Sequence, residues 1–286
     1  MIAMADKTAL VTGASSGFGL RISIALALRG YRVMAAMRDL GRGDELLREA
    51  ERAGVASRLD PVRLDVTDAE SIEAAMAHAA RRYGRLDVLV NNAGFAVGGF
   101  AEEVPMDDWR AQMETNFFGV VAMSRAAIPL MRKQGGGTII QLSSVSGRIA
   151  FPGYGAYAAS KFAVEGFSES LRHELAPHGI RVVLVEPGAY RTAIWDKGFS
   201  GIRSRPDSPY RKMLEAVLEY SRRAAATSKD PREVAELVAR LAECRAPRLR
   251  YAVGRGTKLT LFGKAALPWR WFEAIIQRTL SGKAGG

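Results

Sequence analysis

Short apolar runs recur at 7–12, 31–37, 59–64, 86–90, 137–142, 180–186 and 249–253, and the stretches between them place apolar residues at helical spacing. The helical pattern is clearest over 20–28, 107–133, 154–176 and 231–243. No Pro/Ser-rich linker, internal repeat or low-complexity segment interrupts this alternation, which predicts one α/β domain. With 48% hydrophobic residues in a chain of 286, a parallel sheet can be covered by helices on both faces. Right-handed crossovers then give a Rossmann-type doubly wound parallel sheet, with a ligand crevice at the carboxyl ends of its strands. This domain is expected over 1–256, and residues 257–286 are expected to form a C-terminal helical extension.

The first apolar run, Lys7 to Thr12, leads through Gly13-Ala14-Ser15-Ser16-Gly17-Phe18-Gly19 into the apolar helix that starts at Leu20. Glycines let backbone approach a pyrophosphate without interference from Cβ, and a helix N-terminus adds free N–H donors and a positive dipole. The spacing Gly-x-x-x-Gly-x-Gly departs from the more usual G-x-G-x-x-G. Further along, Tyr157 and Lys161 stand four positions apart on one predicted helix, so a cation can lower the pKa of a phenol that is ordinarily about 10. Ser144 closes the run 138–142, and Asn116 lies in Thr115-Asn116-Phe117-Phe118-Gly119.

In this order and spacing the motifs resemble the short-chain dehydrogenase/reductase family over roughly residues 5 to 255. Met34 to Leu40 and Ser160 to Gly166 are similar to its hydroxysteroid and retinol dehydrogenase branch. The resemblance implies an active oxidoreductase in which Ser144 orients a substrate oxygen and Tyr157 exchanges the proton. Lys161 would hold the nicotinamide ribose and favour ionised Tyr157, while Asn116 would hold a water linking Lys161 to solvent. Ser143 is the competing choice for Ser144, and a helix-kinking or capping amide is the alternative role for Asn116. The implied cofactor contacts are Gly13, Ser15, Ser16, Gly17, Phe18 and Gly19 in the turn, then Asp65 and Val66 beside the adenine. They continue through Asn92, Ala93 and Gly94 to Tyr157, Lys161, Pro187, Gly188 and Thr192. Arg38 stands where an NAD-selective site would carry an acid, so NADP is expected, with NAD as the alternative because Asp39 is adjacent.

Net charge of +11 raises nucleic acid as a partner, but the cations are spread along the chain and often neighbour acids, so none is expected. His78, His173 and His178 lack metal-ligand spacing, and no metal site is expected. Cys244 stands alone and reads as a packing residue. Met1 to Asp6 does not resemble a secretory signal, which makes the cytoplasm the expected location. Phe95, Phe151, Tyr154, Tyr190, Trp195 and Phe199 are candidates to line an apolar pocket for a lipophilic ketone or secondary alcohol. The irregular stretch 193–226 is expected to be a lid; its Arg203, Arg205, Arg211 and Lys212 leave ketoacyl-thioester reduction as an alternative. A non-catalytic dinucleotide sensor is the other alternative, disfavoured by the intact Ser144, Tyr157 and Lys161. Trp269, Phe272, Ile275, Ile276 and Leu280 approximate one helical face, expected to dock on the body or a partner subunit rather than on a membrane surface. The resemblance also implies a homodimer or homotetramer through the long helices bearing Asn116 and Tyr157.

Overall fold

The computed structural model describes residues 6–191 and 201–280. Seven strands, β1 (Thr8–Thr12), β2 (Arg32–Met37), β3 (Leu59–Arg63), β4 (Val88–Asn91), β5 (Gly137–Leu142), β6 (Ile180–Pro187) and β7 (Arg250–Val253), form one sheet. Its order is β3-β2-β1-β4-β5-β6-β7, and every pairing is parallel. The chain steps outward in one direction from β1 to β3, then returns to the other side of β1 for β4. The crevice outside the carboxyl ends of β1 and β4 is therefore the topological switch point, where such sheets bind ligands.

Alternation along each strand divides the core. Ala9, Val11, Val33, Ala35, Val183 and Val185 face one side, where α1 (Gly17–Leu28), α2 (Asp44–Arg52) and α8 (Arg232–Glu243) cover them. Leu10, Met34, Leu89, Ile139 and Val182 face the other, beneath α3 (Ala69–Tyr83), α5 (Gly119–Lys133) and α6 (Gly155–Leu175). The strands are apolar on both faces because both faces are roofed. Pro61, which cannot donate to a ladder, sits in the edge strand β3.

The expected helix 107–133 is present, but it is not α-helical throughout. It divides into α4 (Met106–Met113), a π-helical turn at Glu114–Phe118 and α5. The neighbouring loop accounts for the widening: Gln112 Oε1 accepts from Val97 N, and Asn116 bonds both the N–H and the carbonyl of Phe95. These contacts draw the turn toward the switch point, and such π-turns are frequent at functional sites.

Among the described residues of the stretch 193–226, Arg211–Ala226 forms a helix, α7, more regular than the sequence suggested. Two further helices, α9 (Thr257–Ala266) and α10 (Trp269–Leu280), follow β7, and α10 packs against α7. The apolar residues of α10 do not share one buried face. Phe272 is buried and Ile276 and Leu280 are half-buried, whereas Trp269 and Ile275 are exposed. No helix among the described residues is long and apolar enough to cross a membrane.

Candidate active site

The β1–α1 turn is held in a conformation that only glycine permits. Gly13 has φ of +68° and Gly17 of +58°. A Cβ on Gly19 would lie 2.2 Å from the Gly13 carbonyl oxygen and 2.6 Å from Asn92 Nδ2, so the first turn of α1 packs against bare backbone. Ser16 stands at the N-cap without a side-chain capping bond, and α1 carries no acid in its first turn. The helix N-terminus therefore presents N–H donors and its dipole without an internal anion to satisfy them.

Asn92 ties this turn to the end of β4 by donating from Nδ2 to the carbonyls of Thr12 (2.8 Å) and Gly13 (3.2 Å). Thr12 Oγ1 in turn accepts from the backbone N–H groups of Asn92 and Ala93, both at 2.9 Å. Gly94 follows against Asn116, whose Oδ1 would be 3.0 Å from a Cβ there. The two motifs thus form the two sides of one crevice.

At the ends of β2 and β3, Arg38 and Asp39 are exposed. Asp39 Oδ1 accepts from Gly41 N at 2.9 Å, capping a short 3₁₀ turn, whereas the Arg38 guanidinium lies near Asp65. Burial pushes the Asp65 carboxyl up, but bonds from the N–H and hydroxyl of Thr67, with Arg38 nearby, outweigh it and hold the pKa below the usual value. Val66 is buried beside Gly119.

On the opposite side of the switch point, α6 presents Tyr157 and Lys161 one turn apart, with Lys161 Nζ 5.8 Å from the Tyr157 ring centroid. Ser144 follows β5 and opens a 3₁₀ turn, its Oγ accepting from Ser146 N at 3.0 Å. The same hydroxyl is hydrogen-bonded to Tyr157. Ser143 is the buried serine whose hydroxyl has no partner, so it is Ser144 that the fold joins to the phenol.

Burial raises the Tyr157 pKa, and the Ser144 bond opposes the rise. The Lys161 ammonium donates to the Leu142 carbonyl at 2.7 Å, and burial lowers its own pKa to about 8 against the attraction of Glu165. Asn116 donates to Phe95 O at 2.9 Å and Ser160 Oγ at 3.2 Å, so its two amide hydrogens hold loop and helix together.

Tyr157, Ser143 and Ser144 border a cavity of about 220 Å³. Its other walls include Phe18 from the glycine turn, Pro187 and Gly188 after β6, and Val217 and Tyr220 from α7. Of the six aromatic candidates, Phe151, Tyr154 and Tyr190 line it; Phe95 does not, and Trp195 and Phe199 lie outside the described residues, as does Thr192. Tyr190 is buried, meets Phe18 edge-on at 5.6 Å and donates its hydroxyl to Glu233 Oε2 at 2.9 Å. Tyr154 OH and Ser221 Oγ, 3.0 Å apart, fasten α7 over the cavity.

Three of the wall residues missed in the sequence, Val217, Tyr220 and Leu280, come from α7 and α10, which sequence order places far from the motifs. The cations assigned to this region are largely engaged. Arg203 pairs with Asp108 at 2.6 Å, Arg205 lies 3.7 Å from both Glu102 and Glu103, and Arg211 donates to the Pro206 carbonyl. No cluster of three metal-ligating side chains occurs among the described residues.

Comparison with known proteins agrees with this geometry. A family model described as short chain dehydrogenase matches residues 7–202. An uncharacterized oxidoreductase of Bacillus subtilis is 44% identical over 280 residues, covering 97% of this chain and 99% of the relative. Mouse 17-beta-hydroxysteroid dehydrogenase type 1 is 35% identical over 255 residues, covering 87% and 74%. Among solved structures, a short-chain dehydrogenase from Streptomyces avermitilis superposes with a TM-score of 0.80 at 32% identity, over 99% of this chain and 100% of the other. A short chain dehydrogenase/reductase from Burkholderia phymatum in complex with NAD has a TM-score of 0.78 at 29% identity, covering 96% of both chains. A metagenomic short-chain oxidoreductase in complex with NADP has 0.69 at 28%, covering 86% and 96%. With the glycine turn, the Asn92 tie and the Ser144–Tyr157 pair in one crevice, these matches show that the chain belongs to the short-chain dehydrogenase family and is an oxidoreductase with a hydroxysteroid dehydrogenase-like pattern.

Proposed function

We propose that the protein is an NADP(H)-dependent oxidoreductase that interconverts a lipophilic ketone and its secondary alcohol. The observation that carries this reading is the Tyr157 hydroxyl bonded to Ser144 at the wall of an apolar cavity, with Lys161 one helical turn away. The dinucleotide fits the chain's own features: an uncapped helix N-terminus free of acids, and a cradle at Gly19 that a Cβ would fill. Gly13, Ser15, Ser16, Gly17, Phe18 and Gly19 would hold its pyrophosphate side, with Asp65, Val66, Asn92, Ala93 and Gly94 around the adenosine half. Tyr157, Lys161, Pro187, Gly188 and Thr192 would hold its nicotinamide half. Bound nicotinamide supplies the hydride donor and acceptor.

The remaining work belongs to the protein. Ser144 hydrogen-bonds the substrate oxygen and orients it. Tyr157 gives a proton to that oxygen as a carbonyl is reduced, or takes it as an alcohol is oxidised. Lys161 contributes positive charge beside the phenol and a donor for the ribose, while Asn116 fixes the loop at Phe95 against α6. The mostly apolar cavity wall selects a lipophilic substrate. Exposed Phe118 and Phe162, on or beside the long helices, support association through those helices into a dimer or tetramer. We place the enzyme in the cytoplasm, with residues 257–286 as an extension that completes the cavity wall through Leu280.

Oxidation of NADPH and NADH, followed spectrophotometrically against a panel of aliphatic, alicyclic and steroidal ketones, tests the reading. Turnover is expected with apolar cyclic or long-chain ketones; activity confined to charged thioesters would contradict it. Cofactor choice is tested by Arg38→Asp, which sets a carboxylate where the extra phosphate would lie. NADPH affinity should fall by about tenfold or more relative to NADH. Paired titrations with an unchanged ratio would remove Arg38 from the site.

A further inference from the structure

The two helices after β7 carry large apolar side chains that nothing among the described residues covers. In α9, Thr257, Leu261 and Lys264 turn toward the body, while Leu259, Phe262 and Ala266 fall on the opposite side. Leu259 and Phe262 are 75% and 68% exposed. Trp271 and Ile275, one turn apart in α10, are 65% and 48% exposed, and Trp269 at the start of that helix is 64% exposed. Isolated exposed apolar side chains are ordinary in folded proteins, but five large ones on two successive short helices are not.

The charges among them are mostly positive. Between Gly254 and Leu280 the chain carries Arg255, Lys258, Lys264, Arg270 and Arg278, with Glu273 as the single acid. Arg255, Lys258 and Arg270 are exposed and have no ion-pair partner among the described residues. A face of tryptophan, phenylalanine and leucine interleaved with unmatched cations is complementary to a lipid surface bearing negative headgroups, where aromatic rings settle at the headgroup level. A second copy of this chain is less well matched, since a symmetric contact would bring the same cations against each other.

We infer that α9 and α10 form a peripheral docking surface for an anionic lipid bilayer. The inward side of the same helices explains how this coexists with a folded body. Phe272 is buried, Lys264 donates to the Arg148 carbonyl and lies 5.1 Å from the centroid of the Phe162 ring, and Leu280 reaches the cavity wall. The helices are thus fixed by one side and free on the other. Neither helix can span a bilayer, so adsorption leaves the protein releasable by salt.

The surface is tested on the full chain without cofactor or substrate, so its outcome is independent of the proposed reaction. Flotation is measured with phosphatidylcholine vesicles and with vesicles in which about a third of the lipid is phosphatidylglycerol, alongside light scattering of the protein alone. Binding to the anionic vesicles only, reversed by salt, is expected. Lys258→Glu with Arg270→Glu should reduce partitioning by at least about fivefold per cation changed. The variant Leu259→Ser, Phe262→Ser, Trp271→Ser and Ile275→Ser should abolish binding, with solution mass and thermal stability unchanged. Absence of binding to anionic vesicles, or a drop in solution mass in the serine variant, would overturn the inference; the latter would show that a second copy covers the face.

Discussion

Lys161 is where a single side chain is asked to do most against its surroundings. It is nearly fully buried, bonded to the Leu142 carbonyl, and depressed to about 8 by desolvation that Glu165 offsets in part. Glu165 is itself paired with Arg250 at 2.8 Å, and Arg250 also reaches Glu169 at 2.5 Å and Glu186 at 3.3 Å. Burial and the adjacent Glu165 hold the Glu186 carboxyl above its ordinary range despite Arg148 and Arg250. The sign of the Lys161 effect is definite: between pH 8 and the unfolded value near 10.5 the unfolded chain binds more protons, so stability from this residue rises with pH. Lys161→Met removes the titration. The stability advantage of the variant over wild type should therefore shrink by about 1–2 kcal/mol between pH 7 and 9.5, at about 1.4 kcal/mol per unit. Denaturant titrations at the two pH values check this; a pH-independent difference would mean that the ammonium is not desolvated as its burial indicates.

Among the elements, α10 joins the body to the cavity. Phe272 buries its ring on the inner side, and Leu280, two turns farther, closes part of the wall. Phe272→Ala would remove that anchor at a cost of about 3 kcal/mol or less for a helix packed on one side. The KM for an apolar ketone should rise several-fold with kcat nearly unchanged, because α10 carries no group that touches the reacting atoms. Equal KM values would detach α10 from substrate binding. The seven strands were legible in the sequence because each is a short apolar run between turn residues, and Tyr157, Lys161 and Ser144 because their spacing survives folding. Two elements were not legible. The π-turn at Glu114–Phe118 depends on bonds from Gln112 and Asn116 to a loop some twenty residues earlier. The split between inward Phe272 and outward Trp271 and Ile275 depends on where α7 lies, which periodicity alone does not specify. For the same reason the bond from Lys161 to the Leu142 carbonyl is a property of packing between α6 and β5.

For the whole molecule, the sheet order brings together residues from distant parts of the chain. The glycine turn after β1, the Asn92 tie after β4, Ser144 after β5 and Pro187-Gly188 at the end of β6 all lie at the carboxyl ends of parallel strands. Helices roof the sheet on both faces, while α7 and α10 contribute Val217, Tyr220 and Leu280 to the cavity wall beside that crevice. The central claim is that this crevice is a hydride-transfer site with Tyr157 as its proton donor and acceptor. The most direct test is Tyr157→Phe, which keeps the ring and removes the hydroxyl bonded to Ser144. Turnover of the best ketone should fall by about a hundredfold or more, while NADPH affinity, measured by fluorescence titration, changes by less than about threefold. A folded, NADPH-binding variant that turns over at the wild-type rate would contradict the account.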